Sequence, residues 1–129
     1  MSASPINSGR TEPFRENHSV AVGIGATAAI WTYTVPSKCR LRFKSFGNYL
    51  GTVAAWGVAY EVLTANSVPV YFVGGNPNIL DQVGYAAQRQ NVTELEFGGG
   101  TLLIIYGVNP TANILNMGAS IEYELIYQE

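Results

Sequence analysis

The chain of 129 residues lacks most of the side chains that carry catalysis, since it contains one cysteine, one histidine and one aspartate. A single thiol, Cys39, excludes an internal disulfide framework. A Ser-His-Asp triad would need His18 and Asp81, and His18 lies in a segment with no packing signal, whereas catalysis needs rigid placement. A metal site built from several histidines is excluded as well. We therefore expect no enzyme activity, no metal site and no cofactor.

Charge is also scarce. Seven Lys and Arg and nine Asp and Glu make up 12% of the chain, about half of the usual share of roughly 25%. The formal net charge of −2 supplies no basic footprint for nucleic acid. The uncharged stretch 63–80 is interrupted by asparagine, proline and glycine and cannot span a membrane. The first 18 residues lack the apolar core of a signal peptide. We expect neither a nucleic-acid partner nor a membrane partner.

Apolar side chains are plentiful by contrast, at 47% of the chain. A folded domain of this mass exposes roughly 6,700 Å², over which 16 charges are sparse for a free soluble monomer. The composition therefore favours a small protein whose surface is largely covered by partners.

Residues 1–18 differ from the rest of the chain. They contain two prolines, few large apolar side chains and no period of 2 or 3.6 residues. We interpret them as an extended N-terminal arm and residues 19–129 as a single domain. A frayed terminus is the alternative interpretation.

From Val20 onward the apolar period is two, which predicts β-strands. Turn signals separate them, for example at Gly47-Asn48, at Ala65-Asn66-Ser67 and at 98–100, and residues 74–90 form the longest irregular segment. No helix is predicted. The strands are expected at 29–35, 39–46, 54–63, 68–73, 92–97, 101–108, 114–117 and 119–127. About eight short strands with one long loop predict an all-β, jelly-roll-like antiparallel sandwich. The apolar run 101–108 is continuous, so both of its faces are expected to be buried.

A basic row is the clearest local pattern. The strand 39–46 has one basic and one apolar face, because Arg40, Arg42, Lys44 and Phe46 alternate with Cys39, Leu41, Phe43 and Ser45. The row is either a solvated or edge face or a contact with an acidic protein surface, such as Glu122 and Glu124 of a neighbouring copy. The carboxylate pairs Glu94/Glu96 and Glu122/Glu124 are each expected on one solvated strand face.

From Val35 onward the sequence resembles the jelly-roll capsid decoration (cement) proteins of tailed bacteriophages. The resemblance is carried by VPSKCRLRFKSFGNYL, AAWGVAYEVLTANSVPVY, ILDQVGYAAQ, LEFGGGTLLIIYGVNPTA and NMGASIEYELIYQE. It implies attachment to a capsid lattice, often as a dimer or trimer, with an arm that reaches an adjacent subunit. It carries over no catalytic residue.

The sequence thus predicts a structural virion protein, made in the host cytoplasm, that binds the major capsid protein and stabilises the outer lattice by bridging subunits. The alternative is a carbohydrate-binding or receptor-binding jelly-roll domain of a phage tail or fibre, which would use exposed tyrosine or tryptophan. The expected partner contacts are Ile6, Arg10, Phe14 and Arg15 in the arm and Arg40, Arg42 and Lys44 in the basic row.

Overall fold

The computed structural model describes residues 10–50, 59–74, 88–91 and 95–128. Nine strands lie in these ranges: β1 (Thr11–Val22), β2 (Thr27–Thr34), β3 (Cys39–Leu50), β4 (Tyr60–Ala65), β5 (Val68–Gly74), β6 (Gln88–Asn91), β7 (Glu96–Gly98), β8 (Leu102–Val108) and β9 (Leu115–Tyr127). The predicted loop at 74–90 lies almost entirely outside the described residues, as do the first parts of the strands predicted at 54–63 and 92–97.

The strands form two antiparallel sheets. Sheet A has the order β1-β9-β3-β6, with β7 pairing β3 further along the same edge, and sheet B has the order β2-β8-β4-β5. The chain crosses repeatedly between the sheets, so that strands adjacent in each sheet are mostly distant in sequence. This winding is that of a jelly roll, and it confirms the predicted all-β fold class.

The core lies between the sheets and follows from strand alternation, because every second side chain of a strand faces the same side. Sheet A contributes fully buried Leu41 and Phe43 from β3 and Ile121 from β9, and sheet B contributes Leu103 and Ile105 from β8. In β8 the intervening side chains are half-buried. Both faces of the apolar run 101–108 were expected to be buried. This expectation is wrong for the outer face, because no other element of the described chain packs against it.

The boundary predicted between an arm and a domain, at residues 18 and 19, falls inside β1. Residues 11–22 pair with β9 along their whole length, so residues 11–18 are part of sheet A rather than a separate arm. The period of two is present but hidden, because inward positions of β1 carry the polar residues Glu16 and His18 between the apolar Phe14 and Val20.

Strand β3 contains a bulge that the sequence did not reveal. Its register with β9 shifts between Phe43 and Ser45, which inverts the alternation beyond that point. Phe46, predicted on the basic face, is therefore fully buried in the core. The turn predicted at Gly47-Asn48 is also wrong, because β3 continues in register with β9 to Leu50.

Strand β9 is a single strand of 13 residues, where two strands were predicted at 114–117 and 119–127. Gly118 lies at the predicted break, and it pairs with Ser19 of β1 and Tyr49 of β3. Pairing on both sides holds the chain extended through a residue that would otherwise favour a turn.

Two tight connections fix the ends of the sandwich. Asn66 and Ser67 have φ of 50° and 70° and close the β4–β5 hairpin, as a two-residue turn of the primed type requires. At the opposite end, the Nδ2 of buried Asn109 donates to the carbonyls of Val22, Gly23 and Asn113 at 2.7–3.0 Å. This side chain joins the β8–β9 connection to the β1–β2 turn.

Candidate functional site

Ionic side chains collect on the outer face of sheet A. We call this surface the charged face; it consists of Arg15, Arg40, Arg42, Lys44, Glu96, Glu122 and Glu124. The register sets Arg15 opposite Glu122, and Arg42 opposite both Glu124 and Glu96. Directly opposed residues of antiparallel strands share a face, so cations and carboxylates alternate from strand to strand.

Arg42 lies at the centre of the charged face. Its Nε donates to Glu96 Oε2 at 2.7 Å and its Nη1 donates to Glu124 Oε1 at 3.1 Å. Arg40 Nη2 donates to Glu96 Oε1 at 2.7 Å, and Lys44 Nζ lies 3.8 Å from Glu124 Oε2. The hydrogen bonds from Arg40 and Arg42 lower the pKa of Glu96 below its ordinary value. The carboxylate therefore stays charged in mildly acidic solution.

The bulge in β3 completes the other end of the charged face. Ser45 Oγ donates to Glu122 Oε1 at 2.6 Å, and Arg15 Nε donates to Glu122 Oε2 at 3.0 Å. Because the bulge turns Ser45 outward, one hydroxyl and one guanidinium share this carboxylate.

The cations lie further into solvent than the carboxylates they pair with. The four cationic side chains are 39–70% exposed, and the three carboxylates are 15–29% exposed. Four cations against three carboxylates also leave one net positive charge. An approaching molecule therefore meets a cationic surface on a chain whose net charge is −2.

Arg40, Arg42 and Lys44 share one face of β3, as the alternation predicted. β3 is an inner strand of sheet A, so the row is not an edge. The carboxylates nearest to it, Glu124 and Glu96, belong to the same chain rather than to a neighbouring copy. Contact of the row with a partner stays a prediction.

The predicted arm contacts were Ile6, Arg10, Phe14 and Arg15, and they lie in different environments. Ile6 lies outside the described residues. Arg10 Cζ lies 4.2 Å from the centre of the Tyr127 ring. Phe14 is half-buried and stacks on Tyr123, with ring centroids 5.2 Å apart. Only Arg15 joins the charged face, so Phe14 supports β1 from inside while Arg15 is presented to solvent.

A hydrogen-bonded cluster around Glu16 was missed by sequence reasoning. Trp31 Nε1 donates to Glu16 Oε1 at 3.2 Å, and His18 Nε2 lies 2.8 Å from the same oxygen. Tyr123 Oη donates to Glu16 Oε2 at 2.5 Å. Burial alone raises the pKa of Glu16, but these hydrogen bonds outweigh burial and leave the pKa lowered. Burial and the same carboxylate raise the pKa of Tyr123. The cluster ties β1 to β2 across the rim of the sandwich.

The exposed apolar face on the outside of sheet B was not predicted from the sequence. We call it the apolar face; it consists of Tyr60, Val62, Thr64, Phe72, Leu102, Ile104, Tyr106, Val108, Thr32 and Thr34. The register sets Val62 between Phe72 and Tyr106, and Tyr60 lies against Phe72 with ring centroids 6.0 Å apart. In the described part of sheet B, no charged side chain points outward.

A depression of about 310 Å³ lies where Arg15, Lys44, Glu122 and Glu124 meet, so it belongs to the charged face. In the described ranges, no three side chains of His, Cys, Asp or Glu are grouped so that they could hold a metal ion. No helix in these ranges is long and apolar enough to cross a membrane.

Solved viral structures share this fold. A chain of the cyanophage Pam1 capsid asymmetric unit superposes with a TM-score of 0.51 at 13% identity, covering 88% of this chain and 85% of that one. A chain of infectious bursal disease virus, Gx strain, gives a TM-score of 0.50 at 8% identity, and the match covers 94% of this chain but 33% of the viral one. At such identities the likeness shows the fold alone.

A family 35 carbohydrate-binding module from an environmental isolate is also similar, with a TM-score of 0.43 at 16% identity, over 81% of this chain and 66% of that one. No protein-family model matches the sequence, and no curated protein is significantly similar to it. The two viral matches support the jelly-roll sandwich fold.

Proposed function

We propose that this chain is a non-enzymatic structural virion protein, made in the host cytoplasm, that decorates a capsid and stabilises its lattice by bridging capsid subunits. The observation that carries the proposal is the distribution of charge. Seven of the 16 ionic side chains form the charged face, and the apolar face has none in the described residues. The jelly-roll fold shared with the Pam1 capsid chain supports it at the level of fold.

The charged face is the surface proposed to meet the capsid. Its cations lie above their carboxylates, so an acidic patch on the major capsid protein would find exposed donors at Arg40, Arg42 and Lys44. The carboxylates beneath hold these side chains in place, which reduces the entropy lost on binding. Stabilisation then follows by mass action, because a ligand that binds only the assembled lattice shifts the equilibrium towards assembly.

The N-terminal segment is proposed to extend the same contact. Arg15 lies on the charged face, and Arg10 lies close to the β1 end of sheet A. Ile6 precedes both, and we propose it as an apolar anchor on an adjacent subunit. Phe14 keeps β1 in place through its stacking on Tyr123, which orients Arg15.

Copy number in purified virus particles from the source tests the proposal. Quantitative mass spectrometry should find hundreds of copies per particle, comparable with the major capsid protein. Absence from the particle would contradict the virion assignment. A handful of copies would contradict decoration and favour the tail or fibre alternative, for which glycan-array binding is the next measurement.

A charge-removal variant tests the proposed surface. Lys44→Gln should weaken binding to particles that lack the protein. Added salt should weaken binding of the unchanged chain, because the attraction between exposed charges decays over about 8–10 Å at physiological ionic strength and over shorter distances in more salt. Lys38→Gln is the matched control, since it removes an exposed cation from the turn before β3. Equal loss of binding in both variants would mean that net charge, not the charged face, drives attachment.

The carbohydrate-binding alternative gains no stacking platform from Trp31. Trp31 is buried in the core cluster and contacts Tyr33, Phe43 and Tyr123. A glycan platform needs such rings to be open to solvent, so these aromatics act in packing.

A further inference from the structure

The apolar face calls for a partner because of its size and composition. Four strands spaced about 4.8 Å apart, with some seven residues each at about 3.4 Å, cover roughly 20 Å by 24 Å. Contiguous apolar patches of more than a few hundred Å² are uncommon on monomers and mark interaction sites. At its edge, in β5, Phe72 is 57% exposed, and Val70, where the register with β4 shifts, is 37% exposed.

One polar group of the apolar face is satisfied within the sheet. Thr64 Oγ1 donates to the carbonyl of Ile104 at 3.1 Å. An apolar partner surface would therefore leave this hydroxyl its hydrogen bond.

The geometry favours packing of the face over addition of a strand to its edge. β5 contains Pro69, which cannot donate a hydrogen bond, and its register with β4 shifts between Leu63 and Thr64. Both features are ones that proteins use to block edge-to-edge pairing. Contact through side chains is left, and the ring of Phe72, 57% exposed, is the anchor we expect it to use.

We propose that the apolar face packs against the apolar face of a second copy of this chain. In a symmetric dimer each surface meets itself, so a net charge on that surface is repelled by the same charge on the second copy. The apolar face has no outward charge in the described residues, whereas the charged face has one net positive charge with its cations outermost. A standard interface buries about 800 Å² per partner, and this face with its exposed β5 rim supplies most of that area.

This inference does not rest on attachment to a virion, because it concerns the purified chain in solution. The two proposals use opposite sides of the sandwich. Self-association through the apolar face leaves the charged face of each copy free for a lattice.

Sedimentation velocity of the full chain over a wide range of concentration tests the inference. The unchanged chain should sediment as a concentration-dependent dimer of a 13.9 kDa chain. Phe72→Glu should raise the dissociation constant at least about tenfold, because it would bury two like, unpaired charges. Phe72 is more than half exposed, so this variant should keep the thermal unfolding midpoint of the monomer. Asn17→Glu, on the outer side of β1, is the matched control and should leave the mass unchanged.

Cross-linking gives a second readout. The only native thiol, Cys39, is buried, so Phe72→Cys introduces one reactive position. A short bismaleimide should couple Phe72→Cys into dimers and leave Asn17→Cys monomeric.

Three results would overturn the inference. One is that the unchanged chain is monomeric at every concentration. If, in that case, Phe72→Glu also abolishes particle binding, the apolar face is the contact with the lattice. Another is an oligomer that Phe72→Glu leaves intact. The third is equal dissociation by Phe72→Glu and Asn17→Glu.

Discussion

The two outer faces of the sandwich have the same backbone geometry and opposite chemistry. Both lie on antiparallel sheets, and both use every second residue of their strands. On sheet A these positions carry seven ionic side chains joined across four strands, and on sheet B they carry aliphatic, aromatic and threonine side chains. Folding mainly constrains the inner positions, most of which must be apolar. The outer positions are therefore available for contacts, and the scarce charges of this chain are concentrated rather than spread.

The difference also separates the two proposed contacts physically. Attraction through the charged face weakens with ionic strength, whereas apolar burial does not and is strengthened by excluded salts such as sulfate. Lattice attachment and self-association are thus expected to respond to salt in opposite directions.

A matched pair of phenylalanine truncations gives the largest expected effect. Phe43→Ala should lower the free energy of unfolding by about 3–5 kcal/mol, because it empties a fully buried site between the sheets. Phe72→Ala should change the stability of the monomer by less than about 0.5 kcal/mol. Urea unfolding at low protein concentration measures both. Equal losses would show that Phe72 belongs to the core and that the apolar face is not an open surface.

The cluster behind the charged face gives an intermediate effect. Glu16→Gln should cost about 1–2 kcal/mol, because it weakens the acceptor of the Trp31 and Tyr123 hydrogen bonds. In the folded chain the pKa of Glu16 is below its ordinary value of 4.5. Its contribution is therefore complete above the unfolded pKa and is lost as pH falls through the folded pKa.

Unfolding should accordingly become easier below about pH 4.5 in the unchanged chain, with a shallower acid dependence in Glu16→Gln. Glu12→Gln is the control, since Glu12 accepts a hydrogen bond from Tyr127 Oη nearer the end of β1. An acid dependence that Glu16→Gln leaves unchanged would show that this carboxylate does not hold β1 in place.

The charged face itself should give the smallest change in stability. Glu96→Gln removes the carboxylate shared by Arg40 and Arg42, but exposed ion pairs contribute little and are screened by salt. Chemical denaturation at low and high salt should show a small loss at low salt only. A large, salt-independent loss would mean that the ionic ladder holds β7 on sheet A and is not mainly a binding surface.

Local alternation was predictable wherever one face of a strand is uniformly apolar. Arg40 and Arg42 were placed outward and Leu41 and Phe43 inward on that basis, and the structure agrees. β1 was not recognised, because Glu16 is inward yet charged, and two of its hydrogen-bond partners, Trp31 and Tyr123, lie on β2 and β9. Phe46 was placed on the wrong face, since a bulge depends on the pairing with β9 and not on local composition.

The two outer faces show the same limit of prediction from sequence. The carboxylates Glu122 and Glu124 were recognised as a pair. Their ion pairs with Arg15 and Arg42 could not be predicted, because they depend on the register between strands whose paired residues are 107 and 82 positions apart in sequence. The outward side chains of β8, such as Ile104, cannot be distinguished in sequence from core residues, because the apolar run continues through both faces.

The sequence by itself determined the β class, the turns at Asn66-Ser67 and Gly99-Gly100, and the basic row on β3, since each follows from residue type and a period of two. The tertiary structure alone decided that β1 joins sheet A, that the basic row is paired within the chain, and that sheet B presents an uncharged outer face. These features depend on which strands become neighbours and in which register, and long-range packing sets both.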